Sequence, residues 1–259
     1  MKEKIGITAE FASIIKSESD PRYLYFVSPK ALRIYRWFQV LVPKNLLKNI
    51  FTWRQNLSKA LDLIIDKQKP LQVIDLGSGY SLRGFNLCLS DGSLVYIDSD
   101  LSNVTSRKIQ ILNLLCGKEN IKFPQNLHLR TINVLSDDIY SEVKDYIDMN
   151  KKTLILAEGL TSYFNSLELE IFFKNIQNLM GLMPNITFYS NERLAEPKGF
   201  LYKFIRKILS YVTRSQNSHR FKTSDEFIRF LANLKILDCK IEDTNSGHLI
   251  YSFGSKTRK

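Results

Sequence analysis

Apolar positions in the first seventy residues recur at helical spacing. Phe11, Ile14 and Ile15 share one stripe after Thr8. Leu32, Tyr35, Phe38, Leu41 and Val42 make a second stripe, stopped by Pro43. Leu57, Leu61, Ile64 and Ile65 make a third, led in by Leu46, Ile50 and Trp53. Ser19-Asp20-Pro21 reads as a turn between the first two. At Leu71 the pattern changes. Residues 71–76 are short, branched and apolar, and they run into Gly77-Ser78-Gly79, as a buried strand does on entering a glycine turn. Helical and strand patterns then alternate: helix 81–90, strand 94–98, helix 102–115, strand 127–132, helix 136–147, strand 153–157, helix 167–180 and strand 186–190. This alternation predicts a parallel, doubly wound α/β sheet. The pattern ends differently, with a helix over 224–234 and strands over 235–241 and 249–253. Asp243 to Gly247 joins those strands as an antiparallel hairpin. The expected architecture is a helical cap over residues 1–70 and a Rossmann-like α/β domain over 71–259. That domain would hold seven strands, one antiparallel near the end.

Composition narrows the class. With 259 residues and 44% hydrophobic content, the chain can bury a substantial core. No run of about 18 apolar residues predicts a spanning helix, and no secretory leader is visible. Cys88, Cys116 and Cys239 are too scattered for a disulfide framework, and with His128, His219 and His248 they predict no metal site. A cytoplasmic protein is the expectation.

The net charge of +11 is unevenly placed. Residues 1–70 carry 13 basic and 6 acidic groups, 71–150 carry 7 and 10, and 151–259 carry 17 and 10. The basic flanks favour an anionic partner: nucleic acid, a phospholipid surface or a small acid. Leu32 to Trp53, with Arg33, Arg36, Lys44 and Lys48, offers a face for membrane-surface contact. From Asn191 to Lys222, Arg193 and seven further basic residues accompany Phe200, Phe204, Ile208 and Tyr211 at helical spacing. The expectation for 191–222 is a helical lid over an acidic or acyl-linked substrate.

The candidate chemistry lies in the acidic middle. Gly77 and Gly79 allow a tight turn and a close backbone approach to a ligand. Asp98, about 20 residues on, sits where a doubly wound fold places an acid for ribose hydroxyls, and Asp100 can share or take that role. Leu82 stands where a dinucleotide fingerprint needs its third glycine, and Asp75 before the turn suits a cationic ligand better than a pyrophosphate. S-adenosylmethionine, which has a ribose, a positive sulfonium and no phosphate, fits better than NAD or NADP.

Three segments carry a family resemblance: Val73 to Arg83 with its glycine turn; Asp98-Ser99-Asp100-Leu101 with Arg107-Lys108; and Leu156-Ala157-Glu158-Gly159-Leu160 through Tyr163. Together they resemble the leucine carboxyl methyltransferase and polyketide O-methyltransferase family over roughly residues 7–180. Thr8 to Ala12 and Arg54 are similar to its N-terminal elements. The resemblance implies a class I methyltransferase fold that binds S-adenosyl-L-methionine and releases S-adenosyl-L-homocysteine. It places Arg54 on the cofactor's carboxylate and Gly77, with Ser78 and Gly79, under the methionine moiety. It places Asp98 and Asp100 on the ribose, Asn133 and Val134 at the adenine, and Glu158 near the sulfonium. Asn133 stands where the family has Asp, and Ser81 replaces the turn's Asp while Arg83 is retained. The implied reaction is methyl transfer to a carboxylate or hydroxyl oxygen of a small-molecule or acyl-linked acceptor. Tyr163 and Arg193 would face the substrate, and Tyr163 or Glu158 would be the base that a hydroxyl acceptor requires. The rival readings are a nucleic-acid methyltransferase, made unlikely by the missing N/D-P-P-Y/F segment after the fourth strand, and a degenerate fold serving as a binding module.

Overall fold

A computed structural model describes residues 2–41, 44–193, 221–243 and 248–254. The expected lid falls mostly on 194–220, outside the described residues. The chain begins with α1 (Lys2–Lys16), a 3-10 turn (Pro21–Phe26), α2 (Pro29–Leu41) and α3 (Lys44–Gln68). Pro21 opens the 3-10 turn, whose first free N–H, that of Arg22, is accepted by the Asp20 carboxylate at 3.0 Å. There follow β1 (Gln72–Leu76), α4 (Arg83–Ser90), β2 (Val95–Asp100), α5 (Ser102–Glu119), β3 (Leu127–Thr131), α6 (Ile139–Val143) and β4 (Thr153–Ala157). A 3-10 turn (Thr161–Tyr163), α7 (Ser166–Leu182), β5 (Ile186–Arg193), α8 (Ser224–Asn233), β6 (Lys240–Asp243) and β7 (His248–Gly254) complete the order.

The seven strands form one sheet in the order β3-β2-β1-β4-β5-β7-β6. Strands β1 to β5 pair in parallel; β7 runs antiparallel to both β5 and β6. This is the expected doubly wound sheet with one reversed strand. The direction of winding switches between β1 and β4, and ligands in open α/β sheets bind outside the strand ends at such a point.

Two expected boundaries move. The helix expected over 136–147 shrinks to α6, capped by Asp138, because residues 133–137 form a tight turn. The strand expected over 235–241 starts only at Lys240. Lys235 takes a left-handed φ of 63°, and the Ile236 N–H donates back to Leu231 O at 3.0 Å. That closes α8 and postpones the extended chain.

The period-two alternation of strands sorts the core into two layers. Ile74 and Leu76 of β1, Ile97 of β2, and Ile155 and Ala157 of β4 face α6, α7 and α8, where Phe172, Phe173, Phe188, Phe227, Tyr251 and Phe253 concentrate. Val73, Tyr96, Leu154 and Leu156 point the other way, against α3, α4, α5 and the first 3-10 turn. The same parity puts Asp75, Asp98, Asp100 and Glu158 on this second face, where β1, β2 and β4 end.

Candidate functional site

The chain leaves β1 through Gly77 and Gly79, at φ 66° and 58°. Both lie in the left-handed region that favours glycine. A Cβ on Gly77 would also come within 2.7 Å of Leu160 Cδ1. The turn is tied to β2 by its own polar groups. The Ser78 N–H donates to Ser99 O at 3.0 Å, and the Gly79 N–H donates to Asp100 Oδ2 at 2.8 Å.

The two candidate ribose acids have different surroundings. Asp98 is level with Asp75 in the β1–β2 register, inside the sheet. It is 2% exposed; Lys108 Nζ donates to its Oδ2 at 2.5 Å and Ser78 Oγ donates to its Oδ1 at 2.5 Å. Lys108, itself 1% exposed, also reaches Ser78 Oγ at 3.2 Å. Asp98 is thus neutralised from below and braces the turn. Asp100 is the last residue of β2 and only half-buried. Its oxygens accept N–H groups from Gly79 and from Leu101, the latter at 2.7 Å. Burial pushes its carboxyl above the ordinary range, and those two N–H groups partly offset the rise.

Asp75 is buried in β1, and its Oδ1 has no hydrogen-bond partner among the described residues. Tyr96 donates its hydroxyl proton to Oδ2 at 2.7 Å, and Arg83 Nη1 lies 3.7 Å away. Burial pushes the carboxyl up to about 6. The expectation for Leu82 also changes. Leu82 is wholly buried at the start of α4, and the close helix–sheet approach comes from Gly84, where a Cβ would meet the Tyr96 ring at 2.6 Å. The reading against a pyrophosphate therefore rests on the carboxylates around the turn, not on Leu82.

Glu158 stands just past β4. Gly159 follows at φ 71° and donates its N–H to Asn191 Oδ1 at 2.7 Å, while the Thr161 hydroxyl donates to Asn191 O at 3.0 Å. Arg83 Nη2 donates to Glu158 Oε2 at 2.7 Å, and Lys16 Nζ lies 3.8 Å from Oε1. Asn133 follows β3; its Oδ1 accepts the Leu135 N–H at 3.2 Å, and Val134 beside it is buried. Tyr163 is half-buried and packs on the aromatic layer. The backbones of Arg54 and Arg193 lie in α3 and β5, but their side chains fall outside the described residues.

Sequence reasoning left several participants without a role. Lys108 and Arg83 were visible in the quoted motifs, yet nothing in spacing says that a Lys and an Arg are buried. Helix α1 closes over the turn: Ala9 Cβ would lie 3.6 Å from a Cβ on Gly79. Glu10 holds α1 in place, pairing with Arg107 at 2.9 Å and accepting the Ser28 N–H at 2.8 Å and its hydroxyl proton at 2.6 Å.

The fit to an adenosyl sulfonium can be judged from these groups. Among the described side chains, Asp75, Asp98, Glu158 and Asp62 pair with Arg83, Lys108 and Lys16, and Asp100 adds a further acid, so acids outnumber bases there. Neither Gly77 nor Gly79 carries a Cβ, and Leu160 and Ala9 pack against them instead. An acidic surrounding of this kind favours a cationic ligand. Among the described residues no cluster of His, Cys, Asp and Glu could hold a metal ion, and no helix is long and apolar enough to cross a membrane.

Comparison with known proteins agrees with this geometry. A family model described as leucine carboxyl methyltransferase matches residues 47–177. None of the curated proteins matches the sequence significantly. Among solved structures, a Thermobifida fusca protein assigned as a methyltransferase shares 13% identity at a TM-score of 0.61, with 89% of this chain and 90% of that one covered. The S-adenosylmethionine-dependent methyltransferase SibL shares 13% at 0.55, covering 96% and 74%. A Nostoc punctiforme protein assigned as an O-methyltransferase shares 12% at 0.51, covering 76% of this chain but 55% of its own. The chain thus spans about half the length of that relative. At these identities the likeness is one of fold.

Proposed function

Because the chain belongs to the leucine carboxyl methyltransferase family, whose members depend on S-adenosylmethionine, we propose that it transfers a methyl group from that cofactor to an oxygen of a small-molecule or acyl-linked acidic acceptor. The observation that carries the reading is the left-handed glycine turn at Gly77 and Gly79 with Asp75, Asp98 and Asp100 on one sheet face beside it. Bound there, the cofactor supplies an activated methyl group on a positive sulfur. The chain's own residues bind and orient it.

Gly77, Ser78 and Gly79 would take the methionine moiety against their backbone. Asp100 would accept from the ribose, because it is the acid at the open strand end. Asp98, which spacing alone favours, would act behind it through Lys108 and Ser78. Asn133 and Val134 would border the adenine, and Glu158 would face the cationic end. Arg54 belongs in the same group by helical position: it lies one turn before Ser58 and two before Asp62, both of which contact Arg83. A guanidinium there would suit the cofactor's carboxylate. Tyr163 and Arg193 remain the residues proposed to face the acceptor, and residues 1–70 would serve as the cap. A carboxylate acceptor is already ionised at neutral pH, so alignment and exclusion of water would suffice. A hydroxyl acceptor would call on Tyr163 or Glu158 as base.

The test is calorimetric titration with S-adenosylhomocysteine, followed by tritium transfer from labelled cofactor to panels of small carboxylic acids and phenols. Base-labile label marks an ester, and base-stable label marks an ether. Absence of cofactor binding by a folded protein would overturn the reading.

A further inference from the structure

Arg83 is a charged side chain that is only 8% exposed. Its guanidinium touches three elements besides its own helix. Nε donates to Asp62 Oδ1 at 2.5 Å, and Nη2 donates to Ser58 Oγ at 3.0 Å, both on α3. Nη2 also donates to Glu158 Oε2 at 2.7 Å, just past β4, and Nη1 lies 3.7 Å from Asp75 in β1. A planar fork with five donors can serve these partners together; an ammonium cannot match that geometry.

We infer that Arg83 is a positioning residue that fixes the Glu158 carboxylate and couples it to the seat of α3. This rests on the proposed cofactor site and adds to it. Burial makes the arrangement stiff, since a guanidinium in this setting cannot exchange its partners for water. The N–H of the next residue, Gly159, is held by Asn191, and Glu158 Oε2 is held by Arg83, which together fix how the carboxylate is presented. Asp62 is the unusual member, because its side chain is 54% exposed. An exposed ion pair of this kind ordinarily contributes little to stability. Here its place is between α3 and the group that orients Glu158, so its loss would register at the cofactor.

The experiment is a double-mutant cycle read by S-adenosylhomocysteine affinity, with melting of the unliganded protein recorded alongside. Glu158→Gln alone should weaken binding about tenfold, the scale of one charge-assisted hydrogen bond. Arg83→Lys should cost a similar factor, and the double variant should be little worse than either, because both remove the same oriented carboxylate. Asp62→Asn, which leaves the buried groups in place, should weaken binding by about threefold with little change in melting temperature. A double variant weakened by the product of the single factors would overturn the coupling. So would Arg83→Lys melting lower with unchanged affinity, as for a purely structural residue. Failure of the unmutated protein to bind would instead overturn the cofactor site itself.

Discussion

The two faces of the sheet are built from different materials. The layer under α6, α7 and α8 is aromatic: Phe173 alone has ring centroids of Phe172, Phe188, Phe230, Tyr251 and Phe253 within 5.5–6.3 Å. The layer under α3, α4 and α5 also buries rings, those of Phe26, Phe85 and Tyr96, but it carries beside them the buried ions Asp75, Arg83, Asp98 and Lys108. The first face holds the sheet together by apolar burial. The second places charges out of water, which is costly unless each has a partner. Under the proposed function, most of the cofactor-binding groups lie on the second face, which makes stability and binding separable in part.

The largest test of that separation is Phe173→Ala, expected to cost about 3–5 kcal/mol in urea unfolding through a cavity in the aromatic layer. Affinity of the folded variant for S-adenosylhomocysteine should stay within about twofold. A large loss of affinity would mean that the faces communicate.

Lys108→Met probes the other face. Leaving Asp98 buried without its cation should cost about 3 kcal/mol. Adding Asp98→Asn should recover much of the loss, since the uncompensated charge is then gone. No recovery in the double variant would show that Lys108 matters for packing alone.

Next in size, Asp100→Ala should weaken S-adenosylhomocysteine binding by about 1.5–3 kcal/mol, as expected for hydrogen bonds to a charged group. Asp98→Ala should instead lower the melting temperature of the unliganded protein. Equal affinities for wild type and Asp100→Ala would return the ribose to Asp98.

A further test is a pH dependence of stability. Asp75 has its carboxyl raised from 3.8 to about 6. The folded protein therefore holds that proton more tightly than the unfolded chain. The resulting stability is fully present below pH 3.8 and is lost as pH rises through about 6. Asp75→Asn should remove this decline from a plot of urea midpoint against pH. An unchanged slope between pH 4 and 6 would place the proton elsewhere.

Much of this was legible in the chain. Short apolar runs alternating with helical stripes give the sheet, and Gly77-Ser78-Gly79 after such a run gives the turn. What was not legible depends on register and burial. Spacing favours Asp98 for the ribose, but pairing Asp75 with Asp98 sets that acid inside the sheet, within reach of a lysine ten residues later. The close helix approach looked for at Leu82 comes at Gly84, because the ring it must clear is that of Tyr96, a residue on another strand. Arg83 has the same history: three of its partners, Asp62, Ser58 and Glu158, come from segments far apart in sequence.

The reversed strand β7 has a consequence for how the molecule is assembled. It lies between β5 and β6 and pairs with β5 from Thr187 to Arg193, although it begins only at His248. Until that late strand arrives, β5 is an open edge, and Phe188 lacks the neighbouring ring of Phe253, 4.9 Å away in the finished fold. An unpaired strand backed by aromatic side chains is a template for pairing with another chain. The parallel core can form early from local units, but its outer edge is sealed by a long-range contact, which forms slowly. Molecules interrupted before His248 would therefore present an adhesive edge. Interruption after Gly254 would leave that edge covered.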